Sequence, residues 1–245
     1  MGCWQLGTLL YTFEHSNIPA KIIIGLLVIG SIFSWSVMYS KWQHMRSASS
    51  ATRGFLKHFR HAKHPLEPYK DDVAFLSSPL RQVYEVGARE LCFRLLGSSE
   101  VDETFITRVR EAKPIGSAAL NSVRSAMEQT VGEEALKLES NMILLATAVS
   151  GAPFLGLLGT VWGVMDAFTG IAIAGNPQLS NLAPGVSGAL LTTVAGLLVA
   201  IPAMFGYNFL ITTIRARIVE MENFAAECAS SFEHRFLDTQ SSQRL

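Results

Sequence analysis

The sequence predicts an all-α membrane protein with three transmembrane helices, the second and third extended into a cytoplasmic helical bundle. Three observations carry that expectation. Between Glu139 and Arg215 lie 75 residues whose one charged side chain is Asp166, enough chain for two crossings at about 20 residues each. Asn176, Pro177, Asn181 and Pro184 gather inside that stretch and mark the turn between the crossings. A third charge-free run, Ile22 to Ser40, lies between Lys21 and Lys41, and its far end carries Trp35, Tyr39 and Trp42, residues that favour a membrane interface.

The elements follow in order along the chain. Residues 1–20 form an outer N-terminal segment and 21–40 the first transmembrane helix. That helix is expected to stay uncleaved, because its apolar core runs into Trp35, Met38 and Tyr39 rather than into the small residues of a cleavage site. Met1-Gly2-Cys3 lacks the Ser or Thr of a myristoylation pattern at Leu6, and no apolar segment precedes Cys3. Residues 41–139 form a cytoplasmic helical region: Arg53 to Lys63, a break at Pro65 and Pro68, Leu80 to Leu96 after Ser78-Pro79, and a further pattern from Val101. Leu80, Val83, Tyr84, Gly87, Leu91 and Leu95 recur at helical spacing and define a face for packing.

Ser117 to Glu139 leads into the second transmembrane helix, 140–173, with no strong stop signal, so one long helix is expected, kinked at Pro153. An outer loop, 174–183, precedes the third transmembrane helix, 184–214, which continues into a cytoplasmic C-terminal helix and tail, 215–245. Ile218, Met221, Phe224 and Ala225 give that extension an apolar face.

Charge sets the orientation. Of the 20 Lys and Arg, 15 fall between Lys41 and Lys137 and four follow Ile214. The positive-inside rule then places 41–139 and the C-terminus in the cytoplasm and the N-terminus and 174–183 outside. Cys92 and Cys228 fall in the reducing compartment and Cys3 outside it, so no disulfide framework is expected.

Several function classes are excluded. The 15 Lys and Arg of the 41–139 region face 13 Asp and Glu, which leaves no net basic patch for nucleic acid. No nucleophile–base pair, phosphate loop or metal set points to an enzyme or a cofactor. His58, His61 and His64 have suggestive spacing, but Pro65 ends their segment and the nearest carboxylate, Glu67, lies beyond it.

The residues that call for a function lie in the last two spans. Gly156, Thr160, Gly163, Ala167 and Gly170 recur in steps of four and three, and so form one narrow helix face. Ala189, Thr193, Gly196, Ala200 and Ala203 repeat the rhythm in the third span. In lipid such faces let helices approach closely. Thr160 and Thr193 are the hydroxyls within them, which either bond their own i−4 carbonyls or line a polar path. Asp166 is either an intramembrane functional carboxylate or an interfacial one reached by water or paired with Lys21.

The run Leu155-Gly156-Leu157-Leu158-Gly159-Thr160-Val161-Trp162-Gly163-Val164-Met165, then Ala183-Pro184-Gly185, Ala189-Leu190-Leu191-Thr192-Thr193-Val194-Ala195-Gly196-Leu197 and Ala200-Ile201-Pro202-Ala203, resembles the TolQ/ExbB family of bacterial proton-channel subunits. The resemblance is densest over residues 140–214. It implies an inner-membrane homopentamer around a single-span TolR/ExbD-like partner, using proton flow to drive a TolA/TonB-like protein. It also implies that Thr160 and Thr193 face the partner's membrane aspartate. Many family members carry a glutamate at the position of Gly188; Asp166, on the other lumen-lining span at comparable depth, is the candidate to replace it. The resemblance leaves open a TolQ-type or an ExbB-type role, with the short outer segment Met1 to Ala20 favouring the former. A scaffold that binds a partner helix without conducting ions is the alternative function.

Overall fold

The structure, a computed structural model, describes residues 17–69, 75–98, 105–174 and 179–237. The expectations for residues 1–16, for Val101, for Asn176 and Pro177, and for the tail beyond 237 lie outside them. The described residues form α-helices α1 (Ile18–His61), α2 (Pro79–Leu96), α3 (Phe105–Glu111), α4 (Ser117–Glu139), α5 (Met142–Ala174) and α6 (Leu179–Phe236). α1, α5 and α6 are each long and apolar enough to cross a membrane. The chain divides into two compact units, one comprising residues up to Lys41 with Asn141–Leu210, the other Trp42–Ser140 with Ile211–Leu245.

Helix boundaries depart from expectation in three places. α1 does not stop near Ser40 but runs on to His61. Residues 41–52 contain neither Gly nor Pro, so nothing interrupts the helical ladder there. The single long helix expected through Glu139 and Met142 is broken: Ser140 has an extended ψ of 143°, and Asn141 takes a left-handed φ of 62°. Asn tolerates that conformation better than most residues because its short side chain hydrogen-bonds locally. The helix that carries the third span starts at Leu179, with Pro184 inside the first turns of α6. From there α6 runs 58 residues to Phe236, the continuous extension that the sequence predicts.

In the first unit the large side chains Ile22, Leu26, Ile32, Phe33, Leu157, Val161, Phe168, Leu198 and Phe205 lie exposed. Apolar surface on that scale is stable against hydrocarbon and not against water. Its small core gathers Ile23 and Leu27 of α1, Ala152 of α5 and Ala200 of α6.

The second unit is built around aromatic rings. Phe55 and Phe59 of α1 pack on Tyr84 of α2 at 5.6 and 5.5 Å and on Phe224 of α6 at 5.8 and 5.2 Å. The Tyr84 hydroxyl donates to the Pro65 carbonyl at 2.7 Å, fixing the turn after α1. α2 starts where Ser78 accepts from the Arg81 N–H at 3.4 Å with Pro79 behind it, and ends at Gly97, which needs its φ of 70° to close the helix. Leu80, Val83, Tyr84, Gly87 and Leu91 are buried, as their spacing predicts, and Leu95 is half-buried.

The three spaced histidines occupy different settings. His61 Nδ1 lies 2.7 Å from the Lys57 carbonyl. His64 is 6% exposed; its Nδ1 accepts from the Leu66 N–H at 3.2 Å, so the ring is neutral with its proton on Nε2, an atom with no partner among the described residues. Burial lowers its pKa, Arg235 and Arg110 add to this, and Glu67 opposes it. A folded-state pKa below the unfolded value of about 6.5 means that the unfolded chain takes up the proton first. Stability present above that pH is therefore lost as pH falls through it. His64→Phe should flatten the fall in melting temperature between about pH 7 and pH 5; an unchanged slope would show that other groups govern it.

Candidate functional site

α5 and α6 pack along the two small-residue stripes in opposite directions. A Cβ built on Gly196 would lie 2.5 Å from the Ala152 carbonyl oxygen, one on Gly156 2.9 Å from the Thr192 carbonyl oxygen, one on Gly163 2.7 Å from Ala189 Cβ, and one on Gly185 2.9 Å from Ala167 Cβ. At these positions glycine is required by distance: the backbones approach so closely that a methyl group would meet a carbonyl or another methyl. Ala189, Ala200 and Ala203 are buried. Gly170 lies beyond the contact, exposed, with nothing within 4 Å of its missing Cβ among the described residues.

Where the helices touch, their hydroxyls converge. The Thr160 and Thr193 hydroxyls are directly hydrogen-bonded to each other, and either can be the donor. Thr160 Oγ1 also lies 3.1 Å from the Gly156 carbonyl, four residues back, and 3.3 Å from the Ala189 carbonyl across the interface. Thr193 Oγ1 lies 3.2 Å from the same Gly156 oxygen. The i−4 bond and the cross-helix contacts therefore coexist at Thr160.

A third hydroxyl completes the group. Thr192 is fully buried; its Oγ1 sits 2.6 Å from the Ala189 carbonyl and 3.1 Å from that of Gly156, and it occupies the space that a side chain at Gly159 would need. Sequence reasoning passed over Thr192 and Gly159. The available signal was adjacency: when two helices come this close, the neighbour of each stripe residue is also drawn into contact.

Three hydroxyl protons are thus shared among two carbonyls and the hydroxyls themselves. The Gly156 oxygen is within reach of all three, more donors than its two lone pairs can accept. Rotating hydroxyls can exchange donor and acceptor between Thr160 and Thr193, and can move each proton between carbonyl acceptors, without moving the backbone. Thr160 and Thr193 are half-buried rather than enclosed, so their free side can meet a further polar group.

Asp166 is not part of this cluster. Six residues along α5 from Thr160 put it about 120° away around the helix. Its exposed carboxylate accepts a 2.7 Å hydrogen bond from the side-chain amide of Asn17. Gly188, where the resemblance implies a glutamate, is buried.

Three long apolar helices, two of them locked by glycine contacts around a hydroxyl cluster, define a polytopic membrane protein with a polar seam inside its helix packing. Comparison with known proteins gives that class a family. Residues 97–223 match the MotA/TolQ/ExbB proton channel family. The chain is 31% identical to the Tol-Pal system protein TolQ of Pseudomonas aeruginosa, over 80% of its own length and 79% of that protein. It is 29% identical to the TolQ of Haemophilus influenzae over 88% of this chain and 89% of that one. To the biopolymer transport protein ExbB of Pseudomonas putida it is 30% identical over 95% of this chain and 65% of that one. The chain belongs to the MotA/TolQ/ExbB proton channel family.

Proposed function

We propose that this chain is an inner-membrane motor subunit driven by the proton-motive force. As a homopentamer with a TolR/ExbD-like single-span partner it conducts protons and energises a TolA/TonB-like protein, for envelope maintenance or for uptake. The observation that carries this reading is the contact between the Thr160 and Thr193 hydroxyls inside the α5–α6 seam. Threonine does not titrate in the physiological range, so these groups act by holding and orienting a titratable group from the partner and the water beside it. The driving force is adequate, since each charge crossing 100 mV releases about 2.3 kcal/mol.

Family membership and the names of the matched proteins support the reading. Proton uptake into vesicles holding this chain together with its partner tests it. Uptake that requires both proteins is expected; tight vesicles with the two proteins assembled would instead identify a non-conducting scaffold.

The orientation is tested separately. In a background free of native cysteines, a cysteine at position 178 should react with an impermeant thiol reagent added outside intact cells, and cysteines replacing Ser49 and Ser241 should not. Labelling at position 49 from outside would reverse the topology.

A further inference from the structure

Asn17 immediately precedes α1, and its two polar groups do different things. Its carbonyl accepts the Lys21 N–H at 3.1 Å, closing the first helical turn. Its side-chain amide reaches across to α5 and donates to Asp166 Oδ2 at 2.7 Å. The residue at which the first span begins is therefore held by a carboxylate of the second span.

The height of that contact is informative. Ala167, next to Asp166, meets Gly185 of α6, which places the start of α1, the Asp166 level of α5 and the Gly185 level of α6 on one ledge. At the other end, Met38 of α1 occupies the space beside Gly206 of α6. Asn17 and Met38, and likewise Gly185 and Gly206, are 21 residues apart, about 31 Å of helix, against a hydrocarbon thickness of about 30 Å. Both helices thus measure one membrane core between the same two ledges. Tyr39 and Lys41 follow directly below the lower one, where an interfacial ring and a cation belong. On that measure Asp166 falls at the upper ledge, the rim of a hydrocarbon core of this thickness.

We propose that Asp166 is a positioning residue: it pins the start of α1 to the α5–α6 hairpin at the membrane rim, and the fold uses its acceptor oxygen rather than its titration. The contact sets how deeply the first span is seated relative to the other two. It is independent of whether the chain conducts protons, because it acts on the packing of the unit and not on the hydroxyl cluster.

Five variants of the full chain, with its partner, separate this role from that of a proton carrier. Asp166→Asn keeps an oxygen that accepts from Asn17 but cannot titrate. Asp166→Ala and Asn17→Ala each remove the bond. The expected result is near-normal proton uptake and melting temperature for Asp166→Asn. For each alanine variant a melting temperature lower by about 2–4 °C is expected, the scale on which one lost hydrogen bond registers in a chain of this size. The double variant Asn17→Ala/Asp166→Ala should fall no further than either single one, because the two residues make one bond. If an alanine variant fails to assemble, Asn17→Asp/Asp166→Asn restores the bond with donor and acceptor exchanged and should recover assembly. Loss of proton uptake in Asp166→Asn, at normal melting temperature and with Asn17→Ala unaffected, would make Asp166 a proton carrier and overturn the proposal. Additive losses in the double variant would overturn it as well.

Discussion

Gly196→Leu should leave almost no folded protein in the membrane, while Gly170→Leu accumulates at the normal level. Both glycines lie on stripes of small residues in the last two spans, and the sequence offers no way to rank them. The structure does. A Cβ at Gly196 would stand 2.5 Å from the Ala152 carbonyl oxygen and 3.3 Å from Gly156 Cα, whereas a Cβ at Gly170 meets nothing within 4 Å among the described residues. The obstructing atoms at Gly196 are backbone, so no side-chain rotation relieves them and the two helices have to separate. Overpacking a close interface costs about 1–3 kcal/mol when side chains can yield, and here they cannot. Separation would also break the Thr160–Thr193 contact and uncover the Gly156 and Ala189 carbonyls, which find no water in hydrocarbon. A graded series sharpens the test: Gly196→Ala and Gly163→Ala should lower the melting temperature in detergent, and Gly170→Ala should not. Equal stability across the three would mean that α5 and α6 do not pack along these stripes.

The parts of the fold legible in the sequence were those written in long-range composition. Runs with at most one charge marked the three spans, and the steps of four and three from Gly156 and from Ala189 marked the faces that meet, because a helix repeats its surface at that period. The rest depended on single dihedral angles or on distance in space. Asn141 ends one helix and starts the next by taking a left-handed φ, and a single Ser-Asn pair between the polar end of one helix and the apolar run from Met142 does not by itself announce that choice. The run from Lys41 to Thr52 separates the expected first span from the helix expected at Arg53, yet it holds no residue that stops a helix, and α1 continues through it. Thr192 and Gly159 lie beside the stripes rather than on them; a one-residue-per-turn pattern misses them, although Thr192 is the most deeply buried of the three clustered hydroxyls. Asp166 was visible as a lone carboxylate, but its partner Asn17 is 149 residues away in the chain, and no local pattern shows that the two share a height.

Thr160→Val and Thr193→Val are expected to abolish partner-dependent proton uptake while leaving expression and assembly near normal. Valine keeps the branched shape that packs at the seam and removes the hydroxyl. Interhelical hydrogen bonds in membranes contribute on average about 0.6 kcal/mol, so losing one does not take the hairpin apart. Its glycine contacts at Gly156, Gly163 and Gly196 remain. Function is a different matter, because Thr160 and Thr193 are the half-buried pair of the cluster, and in the proposed mechanism they present a donor and an acceptor to the partner's titratable group. Thr192→Val supplies the contrast. That hydroxyl is fully buried between the Ala189 and Gly156 carbonyls and cannot meet a partner, so its loss should lower the melting temperature more than either of the others and reduce proton uptake only in proportion to the protein that assembles. Opposite orders for stability and for transport across three neighbouring hydroxyls are not expected of a seam that only packs. If all three variants lose uptake in step with assembly, the cluster is structural; if Thr160→Val and Thr193→Val fall to background at matched protein levels, the hydroxyls act in the transport step itself.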